Sequence, residues 1–214
     1  MTIEDFVQSW FTESATAKLE TIKSQTENIK QAALAVVETY YKNGGTVFFF
    51  GNGGSSADAQ HFAGEMFCFF HIFDRPPLAA NALTTDTSVL TSLSNDRGYD
   101  VVFSRQLEAL ATPKDLVFAI STSGNSVNVV KAAEVAKSRG IKVVGMTGMK
   151  PSKLSEIADI TIMAQSDQTG HVQEVHTCVV HIISWVVEEL LFGEEGFSPT
   201  SEMPKSSKNV YHSD

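Results

Sequence analysis

The sequence predicts an α/β fold built from βαβ units around a parallel sheet, and three observations predict it. Five short apolar runs, TVFFF, LAANAL, DLVFAI, KVVGMT and DITIMA, alternate with stretches of helical periodicity. Strands buried on both faces and joined by crossover helices read in this way. A long segment without Gly or Pro precedes the first run, and glycine- or hydroxyl-rich loops follow the first and third runs. Open α/β sheets bind ligands beyond the carboxyl ends of their strands, so those loops are where function is expected.

From Ala15 to Tyr41 apolar residues such as Leu19, Ile22, Ile29, Ala33 and Val36 recur at helical spacing. A long amphipathic helix is expected there, ended by Asn43-Gly44-Gly45, with a shorter helix before it around Asp5 to Phe11. A helix is expected to open near Ala57 after TVFFF, and another over Val127 to Ser138 after DLVFAI. The last regular element runs from about Val172 to Leu191. Residues 1–194 are read as one domain, and 195–214, polar with Gly, Pro and Ser, as a disordered tail.

Composition narrows the classes. A chain of 214 residues, 43% hydrophobic and 19% charged, can bury a full core within the size range of one domain. Its formal net charge of -9, with no run of Lys and Arg, argues against nucleic-acid binding, so a bound anion would need local donors. Only Cys68 and Cys178 are present and the start MTIEDFVQSWF is acidic; a cytoplasmic location is expected. VVHIISWVVEELLF, interrupted by His181, Glu188 and Glu189, is read as a buried helix and no membrane association is expected.

Directly after the first strand, Gly51-Asn52-Gly53-Gly54-Ser55-Ser56 gathers amides, hydroxyls and a helix N-terminus at one point, where an anion could sit. The loop is one residue from a dinucleotide fingerprint, but Ser56 stands where the third Gly would be. A ligand-free βα turn is the bland alternative, and a nicotinamide-dependent oxidoreductase would rest on this loop alone. Ser121-Thr122-Ser123-Gly124-Asn125-Ser126 offers four hydroxyls before another helix N-terminus. It has no Lys or Arg, which suits a phosphate monoester better than a nucleoside triphosphate. Ser and Thr also serve as ordinary helix caps, so only the pair of loops together favours a ligand.

His61 and Glu65 stand four residues apart, on one helical face, where both could reach one metal or one substrate. On the helix that begins with HVQEVHTCVVH the main apolar stripe is expected to run through Val172, Val175, Val179, Ile182, Val186 and Leu190. Glu174, His181 and Glu188 fall on the opposite side. His176 lies within the stripe and is read as a core or interface histidine; His181 is the candidate ligand or acid/base group.

GNGGSSADAQHFAGE, LTTDTSVLTSLSNDRGYD, FAISTSGNS and HVQEVHTCVVH, in this order and spacing over about residues 15–192, resemble the sugar isomerase (SIS) domain family, and within it the branch that isomerises heptose phosphates. The resemblance implies a three-layer αβα sandwich with a central five-stranded parallel sheet of flavodoxin-like order, with the N-terminal helices used in forming a homotetramer. It implies substrate contacts at Asn52, Gly53, Gly54, Ser55, Glu65, Asn95, Asp96, Ser121, Thr122, Ser123, Ser126 and Gln173. Zinc would be held by His61, Glu65, Gln173 and His181, and Glu65 and His181 would carry the proton transfers. The implied reaction converts sedoheptulose 7-phosphate, a ketose, into D-glycero-D-manno-heptose 7-phosphate, an aldose.

Those residue types suit the chemistry. Moving a carbonyl between C1 and C2 requires a base for a carbon-bound proton, an acid for oxygen, and an electropositive group facing the ene-diolate. Gln173 and His181 are eight residues apart, about 12 Å along a straight helix, which is hard to reconcile with one metal in one copy. A site at a subunit interface is therefore expected, with His181 supplied by a different chain from His61 and Glu65.

The chain departs from the family pattern in three places. Cys68-Phe69-Phe70 stands where the family usually has Gly-Arg-Phe, Gly170 replaces an Asp, and Asn81 interrupts an apolar strand. The alternative reading is a regulatory SIS protein acting through protein contacts, like the replication-initiator-associating members. Those lack the acidic residue and the histidine that Glu65 and His181 supply here.

Overall fold

The computed structural model describes residues 1–193. The expectation of a disordered tail over 195–214 concerns residues outside that range.

The chain opens with one helix, α1 (Ile3–Glu38), where two were expected. A capping box starts it: Asp5 N donates to Thr2 Oγ1 (3.1 Å) and Thr2 N donates to Asp5 Oδ2 (2.8 Å). Across the expected break, Thr12 and Thr16 turn their hydroxyls back to the carbonyls of Gln8 and Thr12, both 2.8 Å. With no Gly or Pro to stop it, the helix simply continues. A π-helical turn, Thr39–Asn43, and Gly44 at φ 59° end it.

Five strands follow: β1 (Val47–Gly51), β2 (Ala80–Ala82), β3 (Leu116–Ile120), β4 (Lys142–Thr147) and β5 (Ile160–Met163). They pair in parallel in the order β2-β1-β3-β4-β5. Of the run LAANAL only three residues pair, on one edge, where the half-buried Asn81 is tolerated opposite Phe48.

Helices α2 (Gly54–Phe67), α3 (Thr87–Arg97), α4 (Ser104–Leu110), α5 (Val127–Ser138), α6 (Lys153–Ile157) and α7 (Thr169–Phe192) cover both faces. Strand alternation feeds two cores. Val47, Phe49, Phe118 and Ile120 join α1, α2 and α7, while Phe48, Phe50, Val117 and Ala119 join α4 and α5. The three-layer αβα sandwich follows. By length and composition α7 could cross a bilayer; in this fold Val172, Val175, Val179, Val180, Ile183 and Val187 lie in the first core.

The topology places the site. The crossover from β1 runs to one edge through α2, and that from β3 runs the other way through α5. Right-handed connections then put α2 and α5 on opposite faces and open a crevice between the ends of β1 and β3.

Candidate active site

The loop after β1 turns at Gly53, whose φ of 55° is left-handed. Helix α2 therefore begins at Gly54, three residues before the expected Ala57, and Ser55 and Ser56 belong to its first turn. Ser55 is buried, its amide donating to Asn52 O (3.0 Å). A Cβ at Gly54 would collide with the Gln173 carboxamide, so the glycine admits α7 against the start of α2.

The loop after β3 gathers its hydroxyls at the start of α5. Ser126 occupies the N-cap of α5 but makes no capping hydrogen bond with its side chain. Its Oγ instead accepts from Ser121 Oγ (3.1 Å), with Ser123 Oγ 3.4 Å from Ser121 Oγ. Thr122, Ser123 and Asn125 line a cavity of about 360 Å³ whose far wall carries Lys150 and Asp167, 3.8 Å apart. The sequence showed no cation near this loop; the end of β4 brings one. A larger open groove of about 920 Å³ between α3, α4 and the β2 edge holds Asn81 but none of the expected site residues.

Helices α2 and α7 run in parallel, meeting turn by turn: Gly54 with Gln173, Asp58 with Thr177 (2.8 Å), and His61 with His181. Ligand atoms of His61, Glu65 and His181 all lie within 4.8 Å of one another. His61 Nε2 is 2.9 Å from Glu65 Oε1, and the two imidazoles meet edge to face with centroids 5.0 Å apart. Two nitrogens and a carboxylate oxygen, half-buried at that spacing, fit the donor set of a zinc ion.

This corrects the expectation that His181 comes from another chain, because α2 and α7 pack side by side within one chain. The helical spacing argument survives for Gln173. That residue lies two turns away beside Gly54, so one chain brings together three of the four expected ligands. Asn95 and Asp96, exposed on α3, hydrogen-bond to each other (2.8 Å) and lie outside the network of the two loops.

Other titratable groups are sorted by burial. His176 is fully buried with Nε2 3.1 Å from Thr147 O. Burial lowers its pKa to about 4, the carbonyl contact opposing this only in part, so it is a neutral core group. Burial also raises the Asp58 carboxyl, against the Thr177 hydrogen bond and the nearby His61; Asp58 Oδ2 is buried with no hydrogen-bond partner among the described residues. Glu188, expected on the polar side of α7, is instead completely buried, because the segment after α2 folds over that face.

Sequence reasoning missed Asn128, which hydrogen-bonds reciprocally with Asn52 across the crevice. The one signal was a polar residue inside the apolar stretch SVNVV.

Comparison with known proteins agrees with this geometry. The SIS domain family model matches residues 10–148. Phosphoheptose isomerase 2 of Campylobacter jejuni is 43% identical over 198 residues, covering 92% of this chain and 97% of the relative. The phosphoheptose isomerase of Mycobacterium tuberculosis is 52% identical over 152 residues, covering 71% and 77%. Among solved structures, phosphoheptose isomerase GmhA of Neisseria gonorrhoeae superposes with a TM-score of 0.81 at 39% identity, over 87% of this chain and 99% of that one. The Francisella tularensis phosphoheptose isomerase gives 0.84 at 36%, over 88% and 100%. The family model over most of the chain, these identities and the shared five-stranded parallel α/β sandwich show that the chain belongs to the SIS domain family, in its phosphoheptose isomerase branch.

Proposed function

We propose that the chain converts sedoheptulose 7-phosphate into D-glycero-D-manno-heptose 7-phosphate in the cytoplasm, with one zinc ion per site. The observation that carries this reading is the His61–Glu65–His181 cluster on the helix that opens from the loop after β1, a loop tied through Asn52 to Asn128 just beyond the hydroxyl loop. Gly54 and His61 are separated by about 10 Å along α2. That distance supports a substrate whose phosphate and carbonyl lie at opposite ends of an extended chain.

The Ser121, Thr122, Ser123 and Ser126 hydroxyls, with the amides at Gly53 and Gly54, hold the phosphate. Asn52, Ser55, Asn95, Asp96 and Gln173 are assigned to the substrate by family resemblance. Glu65 presents two carboxylate oxygens. Oε1 meets His61, and Oε2 is left to take the proton from C1 and return it to C2. His181 protonates the C2 oxygen as the C1 proton leaves and takes the proton of the C1 hydroxyl as C2 is reprotonated, so both groups end as they began. His61, Glu65 and His181 would hold the zinc, with Gln173 as the expected fourth ligand; the bound ion supplies Lewis-acid polarisation of the substrate oxygens. The exposed Ile3, Phe6, Val7, Phe11, Leu19 and Ile22 along α1 support assembly into a homo-oligomer, a tetramer by resemblance.

NMR of sedoheptulose 7-phosphate with the protein tests the reading. Aldose signals should grow, stop on addition of a chelator and resume with Zn²⁺. Absence of aldose signals with zinc present overturns it.

A further inference from the structure

The segment between α2 and β2 carries an anchor that the proposed reaction does not use. The fully buried Glu188 carboxylate, on α7, accepts from the backbone amides of Phe70 (2.5 Å), His71 (2.8 Å) and Ile72 (2.8 Å). It also accepts from Arg75 Nε (2.8 Å). Burial pushes this carboxyl up, but three amides and a guanidinium outweigh it and hold the group below the usual carboxylate range. Arg75, its side chain equally buried, donates three of its four remaining N–H groups to the carbonyls of Glu65 (2.6 Å), Met66 (2.8 Å) and Pro76 (2.9 Å).

Two of these contacts reach the candidate metal ligands. Arg75 grips the backbone of Glu65 itself. The loop held by Glu188 carries Phe70 onto the His181 ring, stacked at 5.2 Å and 29°. Beside it His71 stacks on Trp185 at 4.0 Å and 10°, with Nε2 2.7 Å from Glu189 Oε1; its Nδ1 lies 2.9 Å from Glu188 Oε2 but out of line for a hydrogen bond. A buried ion pair is a poor way to gain stability compared with apolar packing, and its best-attested use is to fix geometry.

Resting on the reading of His61, Glu65 and His181 as metal ligands, we propose that Glu188 and Arg75 are positioning residues for the metal site. They lock residues 68–75 across α2 and α7, so that the Glu65 carboxylate and the His181 ring stand at ligand spacing before an ion arrives. Groups that orient ligands without touching the metal tune affinity in this way.

The test is titration of the full-length, metal-free protein with Co²⁺, reading affinity and the visible absorption of the bound ion. Glu188→Gln keeps the shape but turns an amide group toward the amide donors. It should weaken Co²⁺ binding by about 10–100-fold and alter the Co²⁺ bands, with far-ultraviolet circular dichroism unchanged. Phe70→Leu, which leaves the ion pair intact, should change the bands in the same direction with a smaller loss of affinity. It decides the matter if Glu188→Gln does not fold. Wild-type protein that binds no Co²⁺ in a manner abolished by His181→Ala overturns the ligand reading, and the proposal with it. Binding and bands that survive both Glu188→Gln and Phe70→Leu overturn the proposal alone.

Discussion

The carboxamides of Asn52 and Asn128 face each other and exchange two hydrogen bonds, each 2.8 Å long. One follows β1 and the other lies in the first turn of α5, so the pair fastens the two sides of the switch-point crevice. Asn128 Oδ1 also accepts from Val129 N (3.0 Å), and its residue is 3% exposed. Asn128→Ala leaves Asn52 without its partner and is expected to cost about 1–3 kcal/mol of stability. Phosphosugar affinity should fall with it, because the two loops lose their fixed spacing. Urea unfolding and calorimetry check the two effects separately.

Phosphate binding is expected to depend on hydroxyls. Ser121→Ala combined with Ser126→Ala should weaken phosphosugar binding by about 3–6 kcal/mol, taking hydrogen bonds to a charged group at about 1.5–3 kcal/mol each. Unchanged affinity by calorimetry would place the phosphate elsewhere, with Lys150 across the neighbouring cavity the next residue to substitute.

Subunit mixing separates a one-chain cluster from a shared one. Glu65→Gln should fold normally and be inactive, since an amide keeps the shape but accepts no proton. Because His61, Glu65 and His181 come from one chain, mixing Glu65→Gln with His181→Ala subunits should restore no activity. Recovery after exchange verified by mass spectrometry would show that sites are shared.

His176 makes stability depend on pH. Its folded pKa of about 4 lies below the ordinary 6.5, so between these values the unfolded chain binds more protons. The contribution is full above pH 6.5 and is lost as pH falls through 4. Wild type should lose about 2 kcal/mol more than His176→Gln between pH 7 and pH 5. Denaturant curves at both pH values measure the difference.

Gly170 is explained by packing. A Cβ there would lie 2.7 Å from Trp10 Cζ2. The indole is fixed by its N–H to Glu174 Oε1 (3.0 Å) and its edge contact with His171, centroids 4.4 Å apart. Gly170→Asp, which restores the family residue, should destabilise by about 1–3 kcal/mol, as overpacking does. Trp10→Ala in the same chain should relieve part of that cost, read as melting temperature of the single and double variants.

Sheet class, strand positions and the loops after β1 and β3 were legible in the sequence because strand burial and turn chemistry are local and periodic. The joint between the expected two N-terminal helices was misread for the opposite reason. Thr12, Glu13 and Ser14 look like a boundary, yet the Thr12 hydroxyl donates to Gln8 O and the Glu13 carboxylate accepts from Ser9, both within the helix, and Ser14 donates to Glu174 on α7. The position of Glu188 was misread likewise: a helical wheel shows it among polar residues and cannot show that the segment after α2 folds back over it.

By itself the sequence determined the α/β class, the two loops at the ends of β1 and β3, and the pairing of His61 with Glu65, since four residues on a helix always share a face. Only the tertiary structure decided that His181 joins them within one chain while Gln173 stays two turns away, that Asn128 pairs with Asn52, and that Arg75 and Glu188 tie the segment after α2 to α7. Those relations depend on the parallel register of α2 on α7. That register is set by how closely Gly54 lets the helices approach and by what else the core must bury, and no periodicity along one segment records it.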